Sequence, residues 1–240
     1  MKINYLCYSW QYLLQQLVHL VGRGYYNYCV GYIPSDKGHK MFDIDKKIMD
    51  KYNINISKDQ RYRRKKKKLA NFYYLRWQHW FFILRSDGAV DFNVDDKFYD
   101  IRVKQKEVNR LKVVVSGCLE FNLGLQKKDN SKSSVTVSLS NHTYKEFKAE
   151  IEDLIQHKQV NKLEDFFERL RGLPAWKGVI KQEYQLLNEV YKYAKKYNLN
   201  TKKKNRIKYP KEYPSLDLYP LRINTYRKIY DSKFVNQIDF

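Results

Sequence analysis

Between Ser9 and Gly22 the apolar residues Trp10, Leu13, Leu14, Leu17, Val18 and Val21 return at helical spacing. That pattern predicts an amphipathic helix with Ser9 as N-cap and Gly22 as its stop. "YYNYCVGYI" (25–33) then reads as a strand ended by the turn cluster "PSDKG". If "INYLCY" is extended, the chain opens strand, helix, strand. A short polar helix is expected from Asp43 to Tyr52, and Ser57 caps a second segment. From Ala70 to Leu84 the aromatic and β-branched residues predict sheet, as one long strand or as a hairpin pivoting near Trp77-Gln78. "SDG" (86–88) is a turn. "LKVVVSGCLEFNLGL" (111–125) and "SVTVSLS" (134–140) are read as two strands of a hairpin joined by "QKKDNSKS".

The periodicity then changes. Thr143 and Glu146 form the pattern of a capping box, followed by Phe147, Ile151, Leu154 and Ile155 at helical spacing. A second helix carries Val160, Leu163, Phe166, Phe167 and Leu170, and "GLP" (172–174) breaks it. A third, longer one is read with Trp176, Val179, Ile180, Tyr184, Leu187, Tyr191 and Ala194 on one side. Strands first and helices later predict an α+β fold, with a mixed or antiparallel sheet in the N-terminal half and a C-terminal helical layer. We expect one domain over 1–200. Residues 201–240 hold ten basic groups against four acidic ones and three of the five prolines, the composition of a basic extended arm.

Composition narrows the partner. Of 240 residues, 43% are hydrophobic, enough for a core, yet 47 are Lys or Arg against 26 Asp or Glu, a formal charge of +21. Such an imbalance repels itself in the compact state and is most simply explained by an anionic partner, nucleic acid first. No basic amphipathic helix favours a membrane surface, and no stretch approaches the roughly 20 apolar residues of a spanning helix. The N-terminus resembles neither a signal peptide nor a transit peptide. The expected site of action is therefore the cytoplasm, or an organelle that encodes the protein; secretion is not expected. Cys7, Cys29 and Cys118 are too few and too scattered for a disulfide framework or a zinc site. Abundant Lys, Tyr, Phe, Ile and Asn, with only nine glycines, point to A/T-rich codons. A plasmid, phage or organelle genetic element fits that bias.

Three groups of residues carry candidate chemistry. In "RYRRKKKKLANFYYLRWQHWFFIL" (61–84), Arg61, Arg63, Arg64, Lys65, Lys66, Lys67 and Lys68 adjoin Tyr73, Tyr74, Trp77 and Trp80. Cations that follow a phosphate backbone beside rings that stack on unpaired bases make a nucleic-acid edge. Strand alternation sends about half of those rings into the core. The bland alternative is a solvated helix end. Lys202, Lys203, Lys204, Arg206 and Lys208 form a second basic segment.

The second group is acidic. "DGAVDFNVDDKFYD" places Asp87, Asp91, Asp95, Asp96 and Asp100 close together, and Asp95-Asp96-Lys97 satisfies D-x-K. Asp87, Asp95 and Asp96 as ligands of Mg²⁺ or Mn²⁺, with Lys97 beside them, would make a nuclease; otherwise they are turn acids balancing nearby lysines. The third candidate is Tyr193, whose Y-x-x-K spacing to Lys196 would let a lysine steady a nucleophilic phenolate. The paired histidines that would hold a metal for that reaction are absent: His79 stands alone and His157 lies in a polar H-x-Q. His19, His39 and His142 have no ligand-like spacing, and with no Gly-rich phosphate loop nucleotide hydrolysis is not expected. The sequence thus predicts a nucleic-acid-binding protein, in its concrete form one acting in replication initiation or mobilisation of a genetic element. A metal-dependent endonuclease and a non-catalytic RNA-binding protein are the alternatives.

Overall fold

The computed structural model describes residues 5–93, 96–106, 109–127 and 133–197. The expected arm, with Lys202, Lys203, Lys204, Arg206 and Lys208, lies outside the described residues. Antiparallel sheets occupy the N-terminal half and helices the C-terminal half, so the fold is α+β. The chain divides into two compact units, 1–113 with 122–136, and 114–121 with 137–240.

The first unit is built on a four-stranded sheet in the order β2-β3-β1-β4, with β1 at Asn27–Tyr32, β2 at Phe72–Trp77, β3 at Trp80–Arg85 and β4 at Tyr99–Asp100. The long aromatic run is thus a hairpin. Gln78 turns it with φ of 51°, and Phe72 pairs with Arg85 and Trp77 with Trp80 across it. Helix α1 (Trp10–Gly22) is capped by the Ser9 side chain, which accepts from Tyr12 N. It buries Leu13, Leu14, Leu17, Leu20 and Val21 and packs on β2. Residues 5–7 are not a full strand. They add one parallel bridge to the outer edge of β2, where Cys7 N donates to Arg76 O and Arg76 N to Tyr5 O.

Phe72, Tyr74 and Ile83 point to a core shared with Met49, Tyr52, Ile54 and Ala70. Met49 belongs to helix α2 (Met41–Lys51), which also buries Asp45. Burying a carboxylate is costly unless it is paired. Here Arg76 Nε donates to one oxygen at 2.8 Å and Tyr74 OH to the other at 2.6 Å. Burial and that hydrogen bond to a carboxylate both raise the Tyr74 pKa, so the phenol stays protonated.

A second sheet has the order β5-β6-β7, with β5 at Lys112–Ser116, β6 at Leu119–Lys127 and β7 at Ser133–Leu139. The expected single strand over 111–125 is therefore two strands, turned at Gly117-Cys118. A run of alternating apolar residues carries no mark of where it folds back unless its turn residues are strong. The helices among the described residues of the second unit are α4 (Asn141–Gln156), α5 (Val160–Arg171) and α6 (Lys177–Lys196). Their core gathers Ile151, Leu154, Leu163, Phe166, Leu186, Val190 and Tyr193.

Two local expectations change here. Ser140, not Thr143, is the N-cap of α4, and buried Thr143 takes Glu120 N onto its hydroxyl at 2.8 Å. The buried stripe of α6 is Val179, Glu183, Leu186, Val190, Tyr193 and Ala194, rotated by roughly 80° from the expected one. Tyr184 and Tyr191 are instead exposed. Two stripes of similar apolar content competed, and packing against α4, not hydrophobicity, decided between them.

Candidate nucleic-acid interface

The basic block forms helix α3 (Lys58–Lys66), opened by a full capping box: Ser57 Oγ accepts from Gln60 N and Gln60 Oε1 from Ser57 N. None of its residues is buried. It ends in a Schellman arrangement, with Lys68 N donating to Lys65 O and Leu69 N to Arg64 O. The left-handed residue that such an ending needs is Lys68, at φ of 55°. Residues 68–70 are then tied to 88–89 by Ala89 N to Lys68 O and Ala70 N to Ala89 O. Gly88 allows that approach. Its φ is +132°, and a Cβ there would lie 2.7 Å from the backbone of residues 68–70.

The seven cations fall into two classes. Arg61 donates to Ile54 O and Phe72 O, each at 2.6 Å, and Arg64 donates to Ala70 O and grips both oxygens of Asp91, at 2.6 and 2.9 Å. These two arginines, three residues apart and so on one side of the helix, pin α3 to the start of β2. Arg63, Lys65, Lys66, Lys67 and Lys68 are exposed. Among the described residues no acid forms an ion pair with any of the five. Lys66 lies over the ring of Tyr62, itself exposed.

The rings sort differently from the expectation. Tyr74 and Trp77 are buried, at 0% and 6% exposure, and are withdrawn from any stacking role. Tyr73 is half-buried, edge-on to Tyr25 and beneath the Arg61 guanidinium, 5.0 Å from its centroid. Trp80 is half-buried at the hairpin turn, edge-on to exposed Tyr32, which also stacks on His79. The turn lies about 17 Å along β2 from Phe72, the first residue of the strand. Exposed Tyr62 thus lies among the cations, whereas exposed Tyr32 and half-buried Trp80 lie at the turn end of the hairpin.

The described acids of 87–100 are each engaged by a basic side chain, two of them by the same one. Asp87 and Asp100 share Arg102, Asp91 holds Arg64, and Asp96 holds Lys51 and the Tyr52 hydroxyl. The Arg102 hydrogen bond lowers the Asp100 pKa, the Arg64 hydrogen bond that of Asp91, and the Lys51 hydrogen bond that of Asp96. Lys97 lies over the Tyr99 ring. Asp95 lies outside the described residues. Among the described residues no three His, Cys, Asp or Glu side chains gather as a metal site would require.

Tyr193 faces the helical core, and Lys196 Nζ turns to Glu152 at 2.6 Å. Burial first, and then the Glu152 charge, raise the Tyr193 pKa against the lowering effect of Lys148. That environment opposes a phenolate. Among the described residues no helix is long and apolar enough to cross a membrane. Compared with known protein families, curated proteins and solved structures, the chain gives no match in any of the three.

What the sequence did not disclose is the sorting of the cations. It depends on three carbonyls and one carboxylate from 54, 70, 72 and 91. The one local hint is the Arg61-to-Arg64 spacing, with arginine at both positions and lysine at most others.

Proposed function

We propose that this protein binds nucleic acid and that the outer face of α3, with Arg63 and Lys65 to Lys68, is a phosphate-contacting surface. The observation that supports this reading is the sorting itself. The two cations that serve the fold are engaged by backbone and by Asp91, and the other five are exposed with no ion-pair partner among the described acids. Five like charges on about two turns of helix repel one another, and phosphates relieve that repulsion while releasing counterions. The engagement of Asp87, Asp91, Asp96 and Asp100 by basic side chains favours binding over phosphodiester cleavage as the role of this face. Action at a plasmid, phage or organelle element, in replication initiation or mobilisation, is the setting that the codon bias supports.

The test is a salt titration of binding to labelled DNA and RNA, comparing the parent with Arg63→Gln/Lys65→Gln/Lys67→Gln. Loss of three phosphate contacts should reduce the slope of log K against log salt by about 2.7 on a duplex. An unchanged affinity and slope would refute the assignment of α3.

A further inference from the structure

We infer that the solvent face of α6 is a second nucleic-acid contact, one built to lie in the major groove of duplex DNA. The inference rests on the nucleic-acid reading above but on different residues. Once the buried stripe of α6 is known, its remaining side chains separate by charge. Lys177, Lys181, Tyr184, Asn188, Tyr191 and Lys195 follow one another at steps of four and three and are all exposed, with Gln185 and Lys192 beside them. The two acids of the helix are turned away. Glu183 is buried, and Glu189, with 12% of its side chain accessible, holds Lys148 at 3.0 Å and Lys192 at 2.7 Å. An amphipathic helix needs only a polar outer face, and mixed charges would serve solubility. A face without a single acid requires another explanation.

The layout of the stripe identifies the ligand. Lysines with no described acid partner stand at both ends, Lys177 and Lys181 at one and Lys195 at the other, while Gln185, Asn188 and the two tyrosine hydroxyls occupy the middle. From Lys177 to Lys195 the stripe is about 27 Å long, and a helix with its side chains is about 10–12 Å wide. The major groove of B-DNA, about 12 Å across, admits such a helix, with phosphates along both walls and base edges on the floor. Terminal lysines then meet phosphates, and the central amides meet bases; Asn and Gln pair with the N6 and N7 edge of adenine. The major groove of duplex RNA is too deep and narrow for this. The opposite side of α6 is held in the helical core, so the exposed side is presented on a rigid support.

The experiment uses the full chain and two duplexes of about two helical turns, one A/T-rich and one G/C-rich, with the matching single strands. Lys177→Gln/Lys181→Gln/Lys195→Gln removes exposed cations that pair with no described acid, and an unshifted melting temperature shows that its fold is intact. This variant should bind duplex DNA about a hundredfold more weakly at ~0.1 M salt, with the salt slope reduced by about 2.7. Gln185→Ala/Asn188→Ala should keep the parental slope and lose at least about tenfold of the preference for the A/T-rich duplex. If the parent binds duplex DNA and both α6 variants match it, the α6 assignment is wrong while the reading of α3 stands. If the loss falls only on single strands, duplex DNA is the wrong ligand. If the parent binds none of the probes, the nucleic-acid reading itself fails.

Discussion

Lys68 offers a way to separate the stability of α3 from its charge. Its φ of 55° places a side chain in the left-handed region where the Schellman ending requires it, and the same residue belongs to the exposed cationic face. A Cβ in that conformation costs about 1–2 kcal/mol. Glycine escapes that strain but loses about 0.5–1 kcal/mol through the greater freedom of its unfolded chain. Lys68→Gly should therefore exceed Lys68→Ala in stability by about 0.5–1 kcal/mol. At Lys65, inside the helix and equally exposed, the order must invert, with alanine ahead by about 1 kcal/mol. All four variants remove one cation, so each should lower the salt slope of nucleic-acid binding by about 0.9, whatever it does to stability. Urea unfolding with a common m-value measures the first effect and a salt titration the second. Alanine ahead of glycine at both positions would refute the backbone argument. Slopes that followed stability would refute the charge argument.

Two further predictions concern the ion pairs of the first unit. Asp45→Ala leaves the Arg76 charge, 5% exposed, without its carboxylate and should cost about 3–5 kcal/mol in urea unfolding. Adding Arg76→Met should recover part of that loss, and a double variant less stable than the single one would contradict the pairing. For Asp91, the hydrogen bond from Arg64 holds the folded-state pKa below the ordinary 3.8, so the pairing contributes fully above that value and is lost as pH falls through the depressed one. The stability gap between parent and Asp91→Asn should be present at about pH 6 and shrink as pH falls below the ordinary carboxylate value through the depressed one; a gap that stays constant would show that the Arg64–Asp91 pairing does not stabilise the fold.

The sequence by itself determined what neighbouring residues decide. The helix from Ser9 to Gly22 and the Ser57 cap were legible because a cap and a helical face are each set within a few positions; the hairpin pivoting near Trp77-Gln78 was one of two open readings, and the pairing of β2 with β3 decided it. The α+β order was legible because the period of the apolar residues changes near residue 140. The second hairpin turn at Gly117-Cys118 and the Ser140 cap were missed. There the local signals were weak or duplicated, and partners such as Glu120 N settled them. The left-handed endings of α2, α3 and α4 fall on Asn53, Lys68 and Lys158, so the usual glycine signal was absent at each. Only the tertiary structure decided which stripe of α6 is buried, which rings of β2 are withdrawn, and which of seven adjacent cations serve the fold. Each of those outcomes depends on groups far away in the chain: the carbonyls of Ile54 and Phe72, the carboxylates of Asp45 and Asp91, the face of α4. Charge can be counted from a sequence, but whether a charge is engaged or exposed is fixed by what long-range packing brings beside it.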